Sequence, residues 1–567
     1  VDIMLKLDRI RGYDMENITI TYRDGTKKQF EKGTTYYEIS KKYKKKFEDD
    51  ILGVRIDNEI IALEEKANHD ATVDFFNVVD LTGYKMYQSA LKYIFEVAIK
   101  ELYPKSEVVF LHSVPKGVLS EVQVDINLTN EDIKQIKGKM AEIIASKERF
   151  IKYNIIKKDA FHYFESTNEL EKAKNIQNVS NEVVTFYKLR KRINYYYTVL
   201  PYDTGVINKY DLVYIGKNRI VLVCPSATSK GLVPEYVHYD NIINNFMESK
   251  SWLKRMKVPY LAQMNELVSQ GKIRDFIEAN DLIFNESILK AAQVILSKRD
   301  IKVILIAGPS SSGKTTTTHV LSTFLRAKGY DPIKLSTDDF FVERSETPKN
   351  EAGDYDYECL QAIDLELFNN TLINLLQGDT VEIPTYNFVT GKKEWDKKFI
   401  TLKENSLILI EGLHCLNDEL VPYIKDENKY KIYLSPFIPL NIDRHNYIST
   451  LDMRLIRRII RDNRTRGKKV DKTIEEWQIV RNGEEKYIFP FVHQADIIIN
   501  TALSYELGIL KIYIEPLLYS VAITSPYYEE ARRILNSLKG FYPISSEYVA
   551  GDSILREFIG HGKENSK

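Results

Sequence analysis

The chain has 567 residues, too many for one ordinary core, which predicts three or four domains. Hydrophobic residues make up 44% and charged residues 28%, a composition that excludes a largely disordered protein. Lys plus Arg and Asp plus Glu both total 80, so net charge gives no global pull toward nucleic acid or membrane, and any polyanion binding must come from a local patch. No apolar run approaches the ~20 residues of a membrane span, and Val1-Asp2-Ile3-Met4 lacks a signal-peptide core. Cys224, Cys359 and Cys415 lie far apart in no metal-like spacing, which points to a reducing compartment without disulfides or a structural zinc. A cytoplasmic protein is expected. The absence of an initiator Met leaves room for a start further upstream.

Ile18 to Tyr22 alternates as a strand, Arg23-Asp24-Gly25-Thr26 turns, and Lys27 to Phe30 returns, a hairpin signal. A helix is predicted over Tyr37 to Phe47, then short strands around Ile51 to Ile56, Glu59 to Ala62 and Thr72 to Val78. This order suggests a β-grasp module. Its basic run, Lys41 to Lys46, reads most simply as a solvated helix face; contact with RNA phosphates is the other reading.

From Gly83 to Ser226 the pattern is α+β. Met86 to Leu102 reads as an amphipathic helix stopped by Pro104, and Asn130 to Ser146 as a helix with a Thr129 N-cap. Val108 to Leu111, Val122 to Ile126 and Arg219 to Val223 read as strands. Tyr236 to Arg299 looks mainly helical, interrupted at Ala279-Asn280-Asp281.

The segment that carries most information is Gly308-Pro309-Ser310-Ser311-Ser312-Gly313-Lys314-Thr315, which fits G-x-x-x-x-G-K-[ST]. It follows the apolar run Val303 to Ala307 and precedes helical character from Thr316 to Lys328, the strand–loop–helix context this motif requires. Glycines let backbone N–H groups converge on phosphate oxygens, and the helix N-terminus adds partial positive charge. Lys314 would reach the β- and γ-phosphates, and the Thr315 hydroxyl would hold Mg²⁺.

Pro332 to Ser336 reads as a second strand, ending in Thr337-Asp338-Asp339-Phe340-Phe341. A carboxylate at the end of the strand beside the phosphate loop lies where substrates bind in open α/β sheets, and can accept a proton from an attacking hydroxyl. A helix N-cap is the other reading of the Asp pair. Ser406 to Gly412 is a third strand, closing on Glu411 in a Walker-B-like position suited to Mg²⁺. His414 and Cys415 read as a packed, inert pair. In Asp452 to Asp462, Arg454, Arg457, Arg458 and Arg461 recur at helical spacing opposite Leu455, Ile456, Ile459 and Ile460. This suits a lid helix bringing guanidinium groups onto transferring phosphates; RNA binding or a salt-bridged surface face is the alternative. Ala495 to Asn500 and Ile509 to Ile514 complete an expected five-stranded parallel core with helices on both faces. Tyr527 to Leu538 reads as a helix without a motif.

Two resemblances follow from these residues. The β-grasp segment, with Gly83 to Tyr93 and Ala98 to Pro104, resembles the N-terminal TGS and editing-type domains of threonyl-tRNA synthetase. Where that family carries an H-x-x-x-H pair, this chain has Ser89 and Tyr93, and no C-x-x-x-H partner stands near Tyr202 to Leu212. Hydrolytic editing is therefore not expected. Lys302 to Glu515 resembles the uridine kinase and phosphoribulokinase branch of phosphate-loop kinases. Leu335 to Phe341 is similar to L-S-x-D-S-F-Y, Asp354-Tyr355-Asp356 to N-F-D, Ile383 to Phe388 to I-P-x-Y-D-F, and Arg454 to Asp462 to the arginine-rich lid. The whole layout looks like a bacterial group called nucleoside kinases.

The resemblance implies ATP and Mg²⁺ as cofactors, with Gly308 to Thr316, including Thr316 itself, around the nucleotide and Thr315 and Glu411 at the metal. It implies Asp338, Lys314, Arg457, Arg458 and Arg461 as catalytic residues. Asp338, Phe341, Asp356, Tyr386 and Arg454 would meet a small-molecule nucleoside. Phe341 replaces the family's Tyr, Asn387 its Asp, and Gly391 stands where a base-reading His is placed, so the base preferred is expected to differ. The expected segments are 1–80 TGS-like, 81–226 editing-like, 227–299 a helical connector, 300–516 kinase-like and 517–567 a helical tail. The expected activity is phosphorylation of a ribonucleoside 5′-hydroxyl. An ATP-gated RNA- or tRNA-binding regulator and a kinase of a non-nucleoside sugar are the alternatives, and a homo-oligomer stays open.

Overall fold

The computed structural model describes residues 16–43, 47–179, 181–349 and 353–560. Lys44 to Lys46 of the basic run lie outside the described residues. By internal contacts the chain forms two compact units. The first comprises 1–163, 180–236 and 521–536; the second comprises 164–179, 237–520 and 537–567.

In the first unit the Asn17–Tyr22 and Lys27–Glu31 strands form the expected hairpin, turned at Gly25 with φ 80°. Asn17–Tyr22 also pairs in parallel with Ala71–Phe76, which pairs antiparallel with Gly53–Ile56. Alternate side chains such as Ile18, Ile20, Val54, Val73 and Phe75 bury one sheet face against Ile39 of the Tyr36–Lys41 helix, which starts on a Thr35 capping box. The Leu81–Leu102 helix and the Thr129-capped Asn130–Ala145 helix are present. Around them stand a four-stranded antiparallel sheet, which includes Glu107–Val114, Gly117–Gln123 and Arg219–Val223, and a three-stranded one. The expected strand at Val122 to Ile126 is thus shifted toward the N-terminus. The Tyr528–Leu538 helix does not belong to a separate tail. Within this unit Glu529 accepts from Arg55 at 2.8 Å and Glu530 pairs with Lys85 at 3.2 Å.

The second unit is built on a five-stranded, fully parallel sheet. In spatial order the strands are Asp331–Ser336, Ser406–Gly412, Val303–Ala307, Lys429–Ser435 and Ile497–Asn500. The count matches expectation, but the membership does not. Lys429–Ser435 is a strand, whereas Ile509 to Ile514 lies inside the Glu506–Tyr519 helix. The connector is helical over Asp240–Arg255, Leu261–Ser269 and Ile273–Ser297, and the last helix runs unbroken through Asn280. Asn280 is held there by tertiary hydrogen bonds to the amide and hydroxyl of Ser504.

The short Leu170–Gln177 helix joins this unit through polar contacts that burial makes obligatory. Lys172 pairs with Glu169 at 2.6 Å and meets His445 Nδ1 at 2.8 Å, while Arg444 binds Glu171 at 2.6 Å. The three cysteines are buried and free. No helix among the described residues is long and apolar enough to cross a membrane.

Candidate active site

The carboxyl ends of the parallel strands gather the site. Val303–Ala307 is wholly buried, a β-branched and aliphatic run flanked by strands on both sides. It releases the chain into Gly308, where a Cβ would lie 2.5 Å from Ser312 Oγ and 2.8 Å from the Leu434 carbonyl. Glycine is required there for close approach. Gly313 caps the Lys314–Ala327 helix at φ 84°, and Ser311 holds the left-handed region at φ 60°, a strained position for a residue with a Cβ.

Two arginines explain how that strain is held. Arg454 donates from Nε to the Ser310 carbonyl at 2.9 Å and grips the Glu484 carboxylate with both Nη atoms. Arg457 donates to the Ser311 carbonyl at 3.3 Å and to the Thr501 carbonyl at 2.8 Å. Its Nε and Nη2 meet the two carboxylate oxygens of Glu506 at 2.8 and 2.7 Å. Both guanidinium groups are fully buried. Each thus bonds a loop carbonyl and a buried carboxylate at once.

On the Thr450–Arg466 helix, Arg454 and Arg457 hold the phosphate loop through its carbonyls, where the sequence suggested a substrate contact and a catalytic group. Arg458 donates to Ser310 Oγ at 3.1 Å, and burial lowers its pKa, with Asp462 opposing. Arg461 turns to Asp462 at 3.0 Å and remains half-buried.

Inside the loop, Lys314 Nζ donates to the Gly308 carbonyl at 2.8 Å and more weakly to Pro309 at 3.4 Å. The Ser311 and Ser312 hydroxyls are buried without a partner among the described residues. The Thr315 side chain is exposed, 3.3 Å from Glu411, which also accepts from Thr318 at 3.4 Å. Register fixes these neighbours: Glu411 stands beside Ile306 on one side and Ser336 on the other. Gly412 is needed because a Cβ there would lie 2.1 Å from Thr337 Oγ1.

Asp338 sits on the 3₁₀ turn Thr337–Phe340, whose Ser336 cap accepts from the Asp338 amide at 3.3 Å. Its side chain is exposed, yet protein surrounds it closely enough that desolvation raises its pKa. The Lys314 ammonium and Arg466 oppose that rise. Glu411 is raised for the same reason, with Lys314 opposing.

Phe341, Tyr386 and Phe388 form an edge-to-face cluster with centroids 5.1–6.0 Å apart, and Tyr357 meets Phe341 at 6.1 Å. The Tyr386 hydroxyl is buried and unpartnered among the described residues. Asp356 accepts from the Tyr487 hydroxyl at 3.0 Å and from the Glu358 amide at 3.1 Å.

Sequence reasoning missed two residues here. Arg344 donates to the Phe388 carbonyl at 2.6 Å and to Tyr357 at 3.1 Å. Gly391 makes room for it, since a Cβ would lie 2.8 Å from Arg344 Nε. The unexpected glycine at 391 was the available signal. Glu358 carries a carboxyl pushed up to about 7, chiefly by burial and then by the Glu484 charge, with Arg458 opposing. The neighbouring His414 donates from Nε2 to the Glu358 carbonyl at 2.9 Å, and burial lowers its pKa to about 4.

In the first unit, Tyr93 is fully buried and its hydroxyl meets the Tyr187 and Arg192 carbonyls at 2.9 and 2.7 Å. Ser89 Oγ accepts from Thr198 at 3.2 Å. These two positions serve packing and local hydrogen bonding.

Residues 303–506 match the model of the Phosphoribulokinase / Uridine kinase family. The uridine kinase of Bacillus pumilus is 31% identical over 198 residues, covering 35% of this chain and 85% of that protein. The threonine–tRNA ligase of Caldanaerobacter subterraneus subsp. tengcongensis is 24% identical over 238 residues, or 40% of this chain, which spans only 37% of the ligase. A solved possible uridine kinase from Bacillus stearothermophilus shares 21% identity, with a TM-score of 0.26 over 38% of this chain and 98% of its own. The matched segment, residues 303–506, carries the phosphate loop and the strand-end acid, and the chain belongs to the phosphoribulokinase / uridine kinase family.

Proposed function

We propose that this chain phosphorylates the 5′-hydroxyl of a ribonucleoside with ATP and Mg²⁺. The observation that carries this reading is the electrostatic reach of Lys314 to Asp338, although the Asp331–Ser336 strand is separated from the phosphate-loop strand by Ser406–Gly412 and not next to it as the sequence suggested. The residues present fit a triphosphate. Lys314 Nζ has only loop carbonyls to exchange for phosphate oxygens, and the Ser311 and Ser312 hydroxyls await partners. They also fit Mg²⁺ shared with phosphates: Thr315 and Glu411 are two oxygen donors, and the described residues contain no cluster of three or more His, Cys, Asp or Glu suited to a metal. When bound, Mg²⁺ neutralises charge on the terminal phosphates.

Asp338 accepts the proton of the acceptor hydroxyl. Its raised pKa brings a carboxylate closer to the working pH, where a general base is most effective. Lys314 and Arg458 carry charge stabilisation, and Asp356 with the Phe341–Tyr386–Phe388 cluster holds the sugar and base. Initial-rate phosphorylation over a panel of ribonucleosides and sugars tests this. Transfer to a pentose phosphate and to no nucleoside overturns the acceptor assignment.

The threonine–tRNA ligase match favours a second activity for the first unit, contact with an RNA of tRNA-like shape. Lys41 and Lys42 are exposed there. Titration with tRNA at two salt concentrations should give a steep salt slope; no binding at low salt removes the idea.

A further inference from the structure

The family match ends at residue 506, but the second unit adds a segment that reaches back to the phosphate loop. Ile554 is buried against the loop: a Cβ on Gly313 would lie 2.2 Å from Ile554 Cδ1. Phe558 lies under the Arg457 guanidinium at 4.9 Å. Arg464, from the Thr450–Arg466 helix, donates to the carbonyls of Glu557 and Phe558 at 2.7 and 2.9 Å. Arg556 ties the segment to itself through the carbonyls of Ser546 and Val549. Ile554 thus packs against the phosphate loop, while Arg457 and Arg464 of the Thr450–Arg466 helix hold Glu557 and Phe558.

From that position Glu557 accepts a hydrogen bond from Thr316 Oγ1 at 3.2 Å. Thr316 is the hydrogen-bond partner of Glu557 among the described residues, and no cation pairs with this half-buried carboxylate. The site is the amino-terminal turn of a 14-residue helix, where partial positive charge favours a phosphate. A threonine hydroxyl has one O–H to donate. In the free protein the Glu557 carboxylate takes that bond; a bound triphosphate needs the same bond and suffers the nearby negative charge.

We propose that Glu557 is a donor-site residue, a built-in competitor that sets the affinity of the phosphate loop for nucleoside triphosphate. The inference rests on the kinase reading above and deepens it. Nucleotide entry breaks the Thr316–Glu557 bond, and the segment around Ile554 forms the wall beside the vacated hydroxyl.

Equilibrium binding of Mg·ATP to the full-length wild type, Glu557→Gln and Glu557→Ala tests it. Both variants should bind roughly five- to thirtyfold more tightly, the range for removing one opposing charge and its hydrogen bond at a helix terminus. The gain should be largest at low salt, and the acceptor KM should not move. Glu557→Gln preserves the shape of the side chain, so a folding defect confined to Glu557→Ala leaves the test standing. Unchanged or weaker binding in Glu557→Gln, with wild-type binding intact, overturns this inference alone. Failure of the wild type to bind Mg·ATP at millimolar concentration overturns the kinase reading and this inference with it.

Discussion

Arg457 and Glu506 form a bidentate ion pair, at 2.8 and 2.7 Å, in which neither side chain retains appreciable solvent contact. The same guanidinium donates to the Ser311 carbonyl, so the pair couples the phosphate loop to the helix that follows the last sheet strand. Burial makes such a pair costly to break rather than valuable to own. Arg457→Met leaves Glu506 charged and uncompensated, and should destabilise the second unit by about 3–5 kcal/mol. Arg457→Met with Glu506→Leu should recover most of the loss. All three tryptophans, Trp252, Trp395 and Trp477, lie in that unit, so urea unfolding followed by tryptophan fluorescence reads it directly. Equal stability of the single variant and the wild type would contradict the anchoring role.

Glu358 gives a pH-dependent signature. Its carboxyl has a pKa of about 7 in the folded chain against an ordinary 4.5. The folded state therefore holds the proton more tightly than the unfolded state. Below about pH 4.5 both states are protonated and folding bears no penalty; as pH rises through 7, the folded chain must bury a charge that the unfolded chain solvates. Glu358→Gln should melt higher than wild type at pH 8, and the difference should vanish near pH 4. A difference independent of pH would place the effect elsewhere.

Tyr386→Phe separates binding from stability. The buried hydroxyl has no partner among the described residues, so its removal relieves an unsatisfied group. The variant should be at least as stable as wild type by thermal melting while its acceptor KM rises, about tenfold for one lost hydrogen bond to a ligand. The KM for ATP should stay unchanged. Lower stability with an unaltered acceptor KM would show a purely structural tyrosine.

What the sequence made legible was local. The phosphate loop, the three strands around it and the acids at their ends are short patterns whose chemistry follows from adjacent residues. The roles within the Thr450–Arg466 helix were not legible. Periodicity identified the helix, but which arginines turn inward depends on Glu484 and Glu506, separated in sequence and brought together by folding. The Lys429–Ser435 strand was hidden by its lysines. Lys431 is buried there because Asp418, Gln494 and the Leu416 carbonyl surround its ammonium group. Ile509 to Ile514 was misread because a short apolar run fits a buried strand and a buried helix equally well. Asn280 looked like a helix break because its partner, Ser504, is remote in sequence.

The most direct measurement is phosphoryl transfer from ATP to a ribonucleoside panel by wild type, Asp338→Asn and Lys314→Ala, with ATP binding measured alongside. The wild type should phosphorylate at least one 5′-hydroxyl, and each variant should lose on the order of 10²–10³ in turnover while remaining folded. Asp338→Asn should still bind ATP. Wild-type turnover by Asp338→Asn on that same nucleoside would contradict the assignment of the proton acceptor on which the account depends.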